Sequence, residues 1–426
     1  MTKNQPNSVS QKSLYLKQVR IRNYAPLINA KVSFQRGLNI IIGPNGTGKT
    51  RFVELASQLV GNIEDVTYLG AGCEVVFGFL KDIIVRFKQP ISIEQTEVTN
   101  SRILPIHDFG LDVYASYNGQ ESTADSLELA LGDVGIAFHL VPETVVAKYG
   151  SPLQGIPLVD IPATITVQAK NGQGKVEPAI GRFNRVGKTH LSDTIFNIAL
   201  FALLWPFRRR QQPAPTALTS EAVQAEVKRV INAFLFFINP SICLYSPISQ
   251  IRISPGYQVY DHAAQQEIIL KGLEFEYLLG ESWLPFSALS DGTKRMLYLI
   301  SQLVMPSISF GGQQPAPLPF SFTTPSRTIF LEEPELGIHP DQLQKLLSLI
   351  REVSKEHQVI MTTHSPQVLN MLTTKELDRI TICELDPEKG TQFRKLSPAK
   401  RAKAKAYMQN DSYLSDFWLY SNLEAE

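Results

Sequence analysis

Gly43-Pro44-Asn45-Gly46-Thr47-Gly48-Lys49-Thr50 has the residue types and spacing of a phosphate-binding loop, G-x-x-x-x-G-K-[ST]. In such a loop glycines let backbone N–H groups turn inward around phosphates, Lys49 reaches the β- and γ-phosphates, and the Thr50 hydroxyl binds Mg²⁺. The chemistry is therefore that of a nucleoside triphosphate. Two carboxylates, Glu332 and Glu333, close the apolar run Thr328-Ile329-Phe330-Leu331. At the end of a buried strand the first, Glu332, suits the hydration shell of Mg²⁺, and the second, Glu333, suits polarising the water that attacks the γ-phosphate. His364 ends another apolar run, Val359 to Thr363, and is placed to bond the γ-phosphate and orient that water. Ser290, Asp291 and Gly292 open a helix that has no anion of its own, because the phosphate loop already has its helix. Such a helix start fits a nucleotide held by a second subunit.

These residues need elements to hold them. Leu38, Ile40, Ile41 and Ile42 read as a buried strand leading into the loop, and helical spacing from about Arg51 to Val60 follows it. Pro340 to Glu352 carries Leu343, Leu346, Leu347 and Ile350 at helical spacing, which supplies the crossover that two parallel strands require. Ser290 is a natural N-cap for a helix running through Met296, Leu299, Ile300 and Leu303. Alternating runs at Leu14–Ile21 and Ala30–Phe34 predict a small antiparallel sheet beside the nucleotide core, and Cys73–Phe79 and Ile83–Phe87 read as further strands. From Gln89 to Arg185 the pattern weakens into short strand-like pieces and turns. Asp193–Trp205 reads as a buried apolar helix and Glu221–Ile238 as a second helix. Neither carries sustained heptads, so a long coiled-coil arm is not expected. Gln211–Pro215 and Gln313–Pro317 are near-identical proline-rich pieces that read as exposed loops, and Pro306–Arg327 reads as a long loop, mobile or functional.

At 426 residues the chain exceeds one typical core, so two lobes or one domain with a large insertion are expected. Its 43% apolar and 19% charged residues are those of a globular protein, and no apolar run is long enough to span a bilayer, which argues against a membrane partner. Cys73, Cys243 and Cys383 show no metal spacing and no disulfide framework, which fits a reducing cytoplasm. Basic and acidic residues number 41 and 40, a net charge of +1, so DNA or RNA contact requires local patches. Arg394, Lys395, Lys400, Arg401, Lys403 and Lys405 form one such candidate, for nucleic acid or for an effector protein. The polar start, Met1–Ser13, reads as a flexible leader, and the apolar Tyr413–Leu419 is expected to pack on this head or on another subunit.

The phosphate loop, Leu289-Ser290-Asp291-Gly292, Glu332-Glu333-Pro334-Glu335 and His364, in this order, resemble the ABC-type ATPase family. Glu335-Leu336-Gly337-Ile338-His339-Pro340 is similar to the SMC/RecF/OLD-like branch, many of whose members serve DNA repair or anti-phage defence, rather than to transporter ATPases. The resemblance implies an α/β fold: a P-loop ABC-type head with a mainly parallel core sheet, an antiparallel β subdomain and a helical insertion lobe. It implies that ATP with Mg²⁺ joins two heads, Ser290 of one touching the γ-phosphate bound by Lys49 of the other, so at least a dimer is expected. The domain scheme is a leader at 1–13, a nucleotide core at 14–90 and 328–393, an insertion at 91–327 carrying the signature motif, and a basic tail at 394–426. Glu332 stands where most of the family has aspartate. The glutamine that usually senses the γ-phosphate has three candidates, Gln89, Gln95 and Gln168. The tail after His364 is too short for the Toprim nuclease of OLD proteins and lacks its acidic cluster, so any nuclease work falls to a partner. The alternatives are a RecF-like DNA-binding ATPase, a transporter's ATPase subunit, disfavoured by the Glu-Pro-Glu and His-Pro residues, and a stand-alone nuclease.

Overall fold

The structure is a computed structural model that describes residues 15–56, 59, 69–79, 83–89, 112–117, 120–124, 143–147, 163–172, 175–184, 220–262, 267–304, 307–310, 320–323, 327–410 and 412–421. The chain forms two compact units. One comprises Met1–Tyr149, Pro325–Leu336 and Ile350–Glu426, and the other Gly150–Thr324 and Gly337–Leu349.

Strands β1 (Leu16–Tyr24) and β2 (Leu27–Ser33) alternate buried and outward side chains, the mark of a sheet with one covered face. β3 (Leu38–Ile42) is buried at every position, as a strand in the middle of a covered sheet must be. Helix α1 (Lys49–Ala56) follows it, and then β4 (Glu74–Phe79), β5 (Ile84–Lys88), β6 (Asp112–Tyr117), β7 (Gln120–Ala124) and β8 (Glu143–Ala147). Six of these strands make an antiparallel sheet in the order β2-β1-β4-β5-β6-β7.

The second unit holds β9 (Ala163–Gly172), β10 (Lys175–Asn184), α2 (Ser220–Tyr245), β11 (Ile248–Ile253), β12 (Gln258–His262), β13 (Glu267–Leu273), β14 (Phe275–Leu279) and β15 (Ser282–Pro285). It continues with α3 (Asp291–Val304), β16 (Ser307–Phe310) and β17 (Phe320–Thr323). Its strands pair as β10-β9-β13-β12, β11-β14-β15 and β16-β17.

The chain then returns through β18 (Arg327–Glu332), α4 (Pro340–Glu356), β19 (Gln358–Thr363), β20 (Ile380–Asp386), β21 (Gly390–Lys395), α5 (Pro398–Met408) and α6 (Leu414–Ser421). The core sheet has the order β21-β20-β3-β19-β18-β8, parallel throughout except for the β20–β21 hairpin. Because β3, β19 and β18 are parallel neighbours, their C-terminal ends share one edge. That edge receives the phosphate loop, His364 and the paired glutamates.

Phe52 of α1 fixes the helix that follows the loop. Its ring centroid lies 6.1 Å from Phe34, 6.2 Å from Phe330 and 5.5 Å from Phe393, so both sheets grip it. The sheets are also tied by one buried amide: Gln358 Oε1 accepts from the Leu16 N–H at 2.9 Å, and its Nε2 donates to the Leu16 carbonyl at 2.8 Å.

Several expectations change. The antiparallel sheet is larger than the four strands read from sequence. β8, inside the 91–327 insertion of the domain scheme, belongs to the core sheet beside β18, and residues up to Tyr149 group with the nucleotide unit. α1 is described over Lys49–Ala56, and the second helix runs past Ile238 to Tyr245 with Pro240 inside it. The expected loop Pro306–Arg327 contains the β16–β17 hairpin. Asp193–Trp205 and both proline-rich pieces lie outside the described residues. The terminal α6 packs on its own unit: Leu414, Phe417 and Trp418 are buried, and Asn370 Oδ1 accepts from the Ser415 N–H at 2.9 Å. No helix among the described residues is long and apolar enough to cross a membrane.

Candidate functional site

The phosphate loop is shaped before any ligand arrives. Gly46 and Gly48 take φ values of 81° and 101°, which side-chain-bearing residues rarely adopt. At Gly48 a Cβ would also meet the Thr391 side chain and Pro26, so glycine is needed twice over. Lys49 is 4% exposed, and its Nζ donates to the Gly43 and Pro44 carbonyls, each at 2.7 Å. The ammonium thereby holds the loop open from inside, in a cradle that suits the phosphate oxygens it would otherwise neutralise. Thr47 Oγ1 donates to the Pro44 carbonyl at 3.0 Å. Behind the loop, Thr391 Oγ1 donates to the Thr47 carbonyl at 2.7 Å, and Cys383 Sγ does so at 3.5 Å. Burial, opposed by Thr47 and Lys49, pushes the Cys383 thiol up to about 11, so it backs the loop as a neutral apolar group. Pro44, Asn45, Gly46 and Thr50 stay exposed at the rim.

β18 delivers the carboxylates. Glu332 is buried, 6% exposed, at the last strand position. Glu333 sits one residue on with φ 40°, a left-handed backbone for an L-residue, pinned by its N–H donating to the Thr362 carbonyl at 2.9 Å. A conformation of that kind costs about 1–3 kcal/mol and persists where surroundings impose it. The turn aims Glu333 at His364: Glu333 Oε1 lies 3.2 Å from His364 Nδ1. The ring nitrogen facing a carboxylate is the one that keeps the proton, which leaves Nε2 as the other working face. The structure therefore brings Glu333 and His364 together across adjacent parallel strands. Both extend from the edge that carries the loop.

Ser290, Asp291 and Gly292 lie in the second unit, at the start of α3. Ser290 caps the helix as its type suggests: its Oγ accepts from the Thr293 N–H at 3.3 Å and meets Thr293 Oγ1 at 2.9 Å. A Cβ on Gly292 would stand 2.9 Å from the Gly337 carbonyl, so glycine there permits close approach of the turn after the Glu-Pro-Glu segment.

The glutamine candidates separate. Gln89 follows β5 with 1% exposure, its backbone paired with Gly72 and Cys73. Gln168 lies inside β9, opposite Ala179 and Glu267. Gln95 lies outside the described residues. The basic tail divides as well, since Arg394 pairs with Glu384, and Lys395 Nζ donates to Thr381 Oγ1 at 2.8 Å. Sequence reasoning missed Thr391 and Cys383, which reach the loop only through the fold. It also gave no role to Glu335, although the Glu-Pro-Glu spacing displays it.

Residues 187–370 match the family model described as "AAA domain, putative AbiEii toxin, Type IV TA system", and residues 18–55 match a second AAA domain model. The chain is 23% identical over 377 residues to the Septu protein PtuA of Bacillus thuringiensis, covering 87% of this chain and 77% of that protein. It superposes on an Smc head bound to the C-terminal winged-helix domain of ScpA with a TM-score of 0.51 and 14% identity, covering 91% of this chain and 99% of that one. A Pyrococcus furiosus Smc head with an extended coiled coil, bound to the C-terminal domain of ScpA, gives a TM-score of 0.50 and 16% identity, covering 93% of this chain and all of that one, 100%. At such identities the structural likeness establishes the fold.

Proposed function

From the premise that this chain is a P-loop ATPase of the SMC/AAA type, related to the Septu protein PtuA, we propose that it is an ATP-operated dimerisation switch that controls an effector protein in anti-phage defence. The observation that carries the reading is the Glu333–His364 pair, 3.2 Å apart, on the strand edge that also carries a preshaped phosphate loop. Lys49 and the loop N–H groups bind the β- and γ-phosphates of ATP. Glu333 takes the proton of the attacking water, and His364 orients the γ-phosphate and holds the carboxylate in register. Thr50 and Glu332 would be the oxygen donors for Mg²⁺, an ion that takes one or two protein ligands and fills the rest of its shell with phosphate and water. When bound it neutralises charge developing on the phosphates. Ser290 and the start of α3 complete the site of a second copy, so hydrolysis dissolves the dimer. The Septu relative and the toxin–antitoxin description of the family model support the defence setting. Recovery of partners on the Glu333→Gln form, with and without ATP, tests it by mass spectrometry and by sequencing of bound nucleic acid. Recovery of nothing beyond a second copy, in both conditions, would sink effector control.

One surface outside the tail favours nucleic acid as a further partner. The outward face of the antiparallel sheet has a groove of about 350 Å³ lined by Lys17, Arg20, Arg22 and Arg86. Strand register sets Lys31, Arg20, Val76, Arg86 and Tyr114 in one row across five strands. Glu74, the acidic residue of the lining, is already shared by Arg22 at 3.4 Å and Arg86 at 3.6 Å, so the face stays strongly positive. A group of cations on one sheet face suits a phosphate backbone. Charge reversal of Lys17 and Arg20 together is expected to weaken binding of short duplex DNA at least tenfold at moderate salt and to flatten the salt dependence by about two phosphate contacts. Fluorescence anisotropy over a salt series measures both, and unchanged curves would remove this face as the contact.

A further inference from the structure

Glu335 is a third carboxyl at this edge, and the chemistry above does not use it. Its side chain is nine-tenths buried, with 9% exposure. Oε1 contacts the Thr363 hydroxyl and lies 4.0 Å from His364 Nδ1, the nitrogen that also faces Glu333. Oε2 is buried and has no hydrogen-bond partner among the described residues. A buried oxygen left without a donor is tolerable as the carbonyl of a neutral acid and far costlier as part of an anion. Thr363 has the bonding to accept such an acid: its Oγ1 accepts from the Ser365 N–H at 2.9 Å, and its own proton can turn to the Ser365 carbonyl at 3.4 Å.

We infer that Glu335 is a positioning residue that works as a neutral acid bonded to the Thr363 hydroxyl, and so sets the strand end that presents His364 to Glu333. Burial pushes its carboxyl above the usual range, Thr363, the backbone and His364 oppose that shift, and Glu333 adds to it. Those are the titratable neighbours that face it. With Glu335 neutral, His364 answers to Glu333 alone. Ionising Glu335 removes the proton it shares with Thr363 and sets a second anion beside the imidazole, which weakens the ring's hold on the base.

The inference rests on the ATPase reading, and its tests separate the two. Glu335→Gln keeps the size and a donor for Thr363 while abolishing titration. Its turnover near neutral pH should stay within about threefold of the parent, while the fall of kcat with rising pH should move upward relative to the parent. A loss of about a hundredfold at neutral pH, or an unmoved alkaline limb, would overturn the proposal. Thermal unfolding reads the same proton without turnover. A carboxyl whose folded value is raised binds more protons folded than unfolded, so the parent should lose stability relative to Glu335→Gln as pH rises above the ordinary carboxylate range. A pH-independent difference in Tm would remove the neutral acid even if the chain proved inactive. A changing difference in a chain without turnover would remove only the ATPase reading.

Discussion

Glu333→Gln is expected to cut ATP turnover by about 10²–10⁴-fold, the usual contribution of a positioned general base, while leaving nucleotide affinity within a few-fold. Glutamine has the same volume and still offers an oxygen to His364, but it cannot take a proton. The left-handed turn at 333 and the 3.2 Å neighbour are therefore kept while the chemistry stops. With hydrolysis blocked, ATP should convert the variant to a species of twice the mass. Single-turnover kinetics and light scattering on a sizing column measure the two effects. Turnover within tenfold of the parent would remove Glu333 as the base, and a monomer at saturating ATP would remove the dimer switch.

Lys49→Ala should abolish useful nucleotide binding. A charge-assisted hydrogen bond is worth about 1.5–3 kcal/mol, and the ammonium makes more than one to the phosphates, so affinity should fall about a hundredfold or more. The variant should also melt earlier without ligand. The Gly43 and Pro44 carbonyls each accept from Nζ at 2.7 Å, and removing the lysine leaves them without that donor. Titration with a fluorescent ATP analogue and a melting curve check the pair of effects. Retained affinity would show that the backbone cradle alone carries binding.

How much of this was legible depends on how local each signal is. The phosphate loop is contiguous, and so are the strand ends carrying Glu332, Glu333 and His364. Their apolar leads predict burial, and β18 and β19 are buried at every position. The parallel pair β18–β19 followed from the helix between Glu333 and His364, whereas the place of β3 beside β19 did not. β8 was not legible: Glu143-Thr144-Val145-Val146-Ala147 is short, and only its partner β18, far along the chain, identifies it as core. The backing of the loop by Thr391 and Cys383 is equally non-local. In the basic tail, Glu384 engages Arg394 from the neighbouring strand, a partner that a charge run does not show. The outward cations of β1 and β5 are spread over separate strands, so only register reveals them as a row.

The backbone at Glu333 bears on what kinds of descendants this chain can have. Glycine at that position would relieve the left-handed φ of 40° and add about 1 kcal/mol of stability. Under selection for heat resistance alone, the base would be among the first residues to drift away, because its absence makes a better-folded protein. Heat tolerance and turnover are therefore opposed at one residue, whose glutamate serves through its carboxyl and not through the fold.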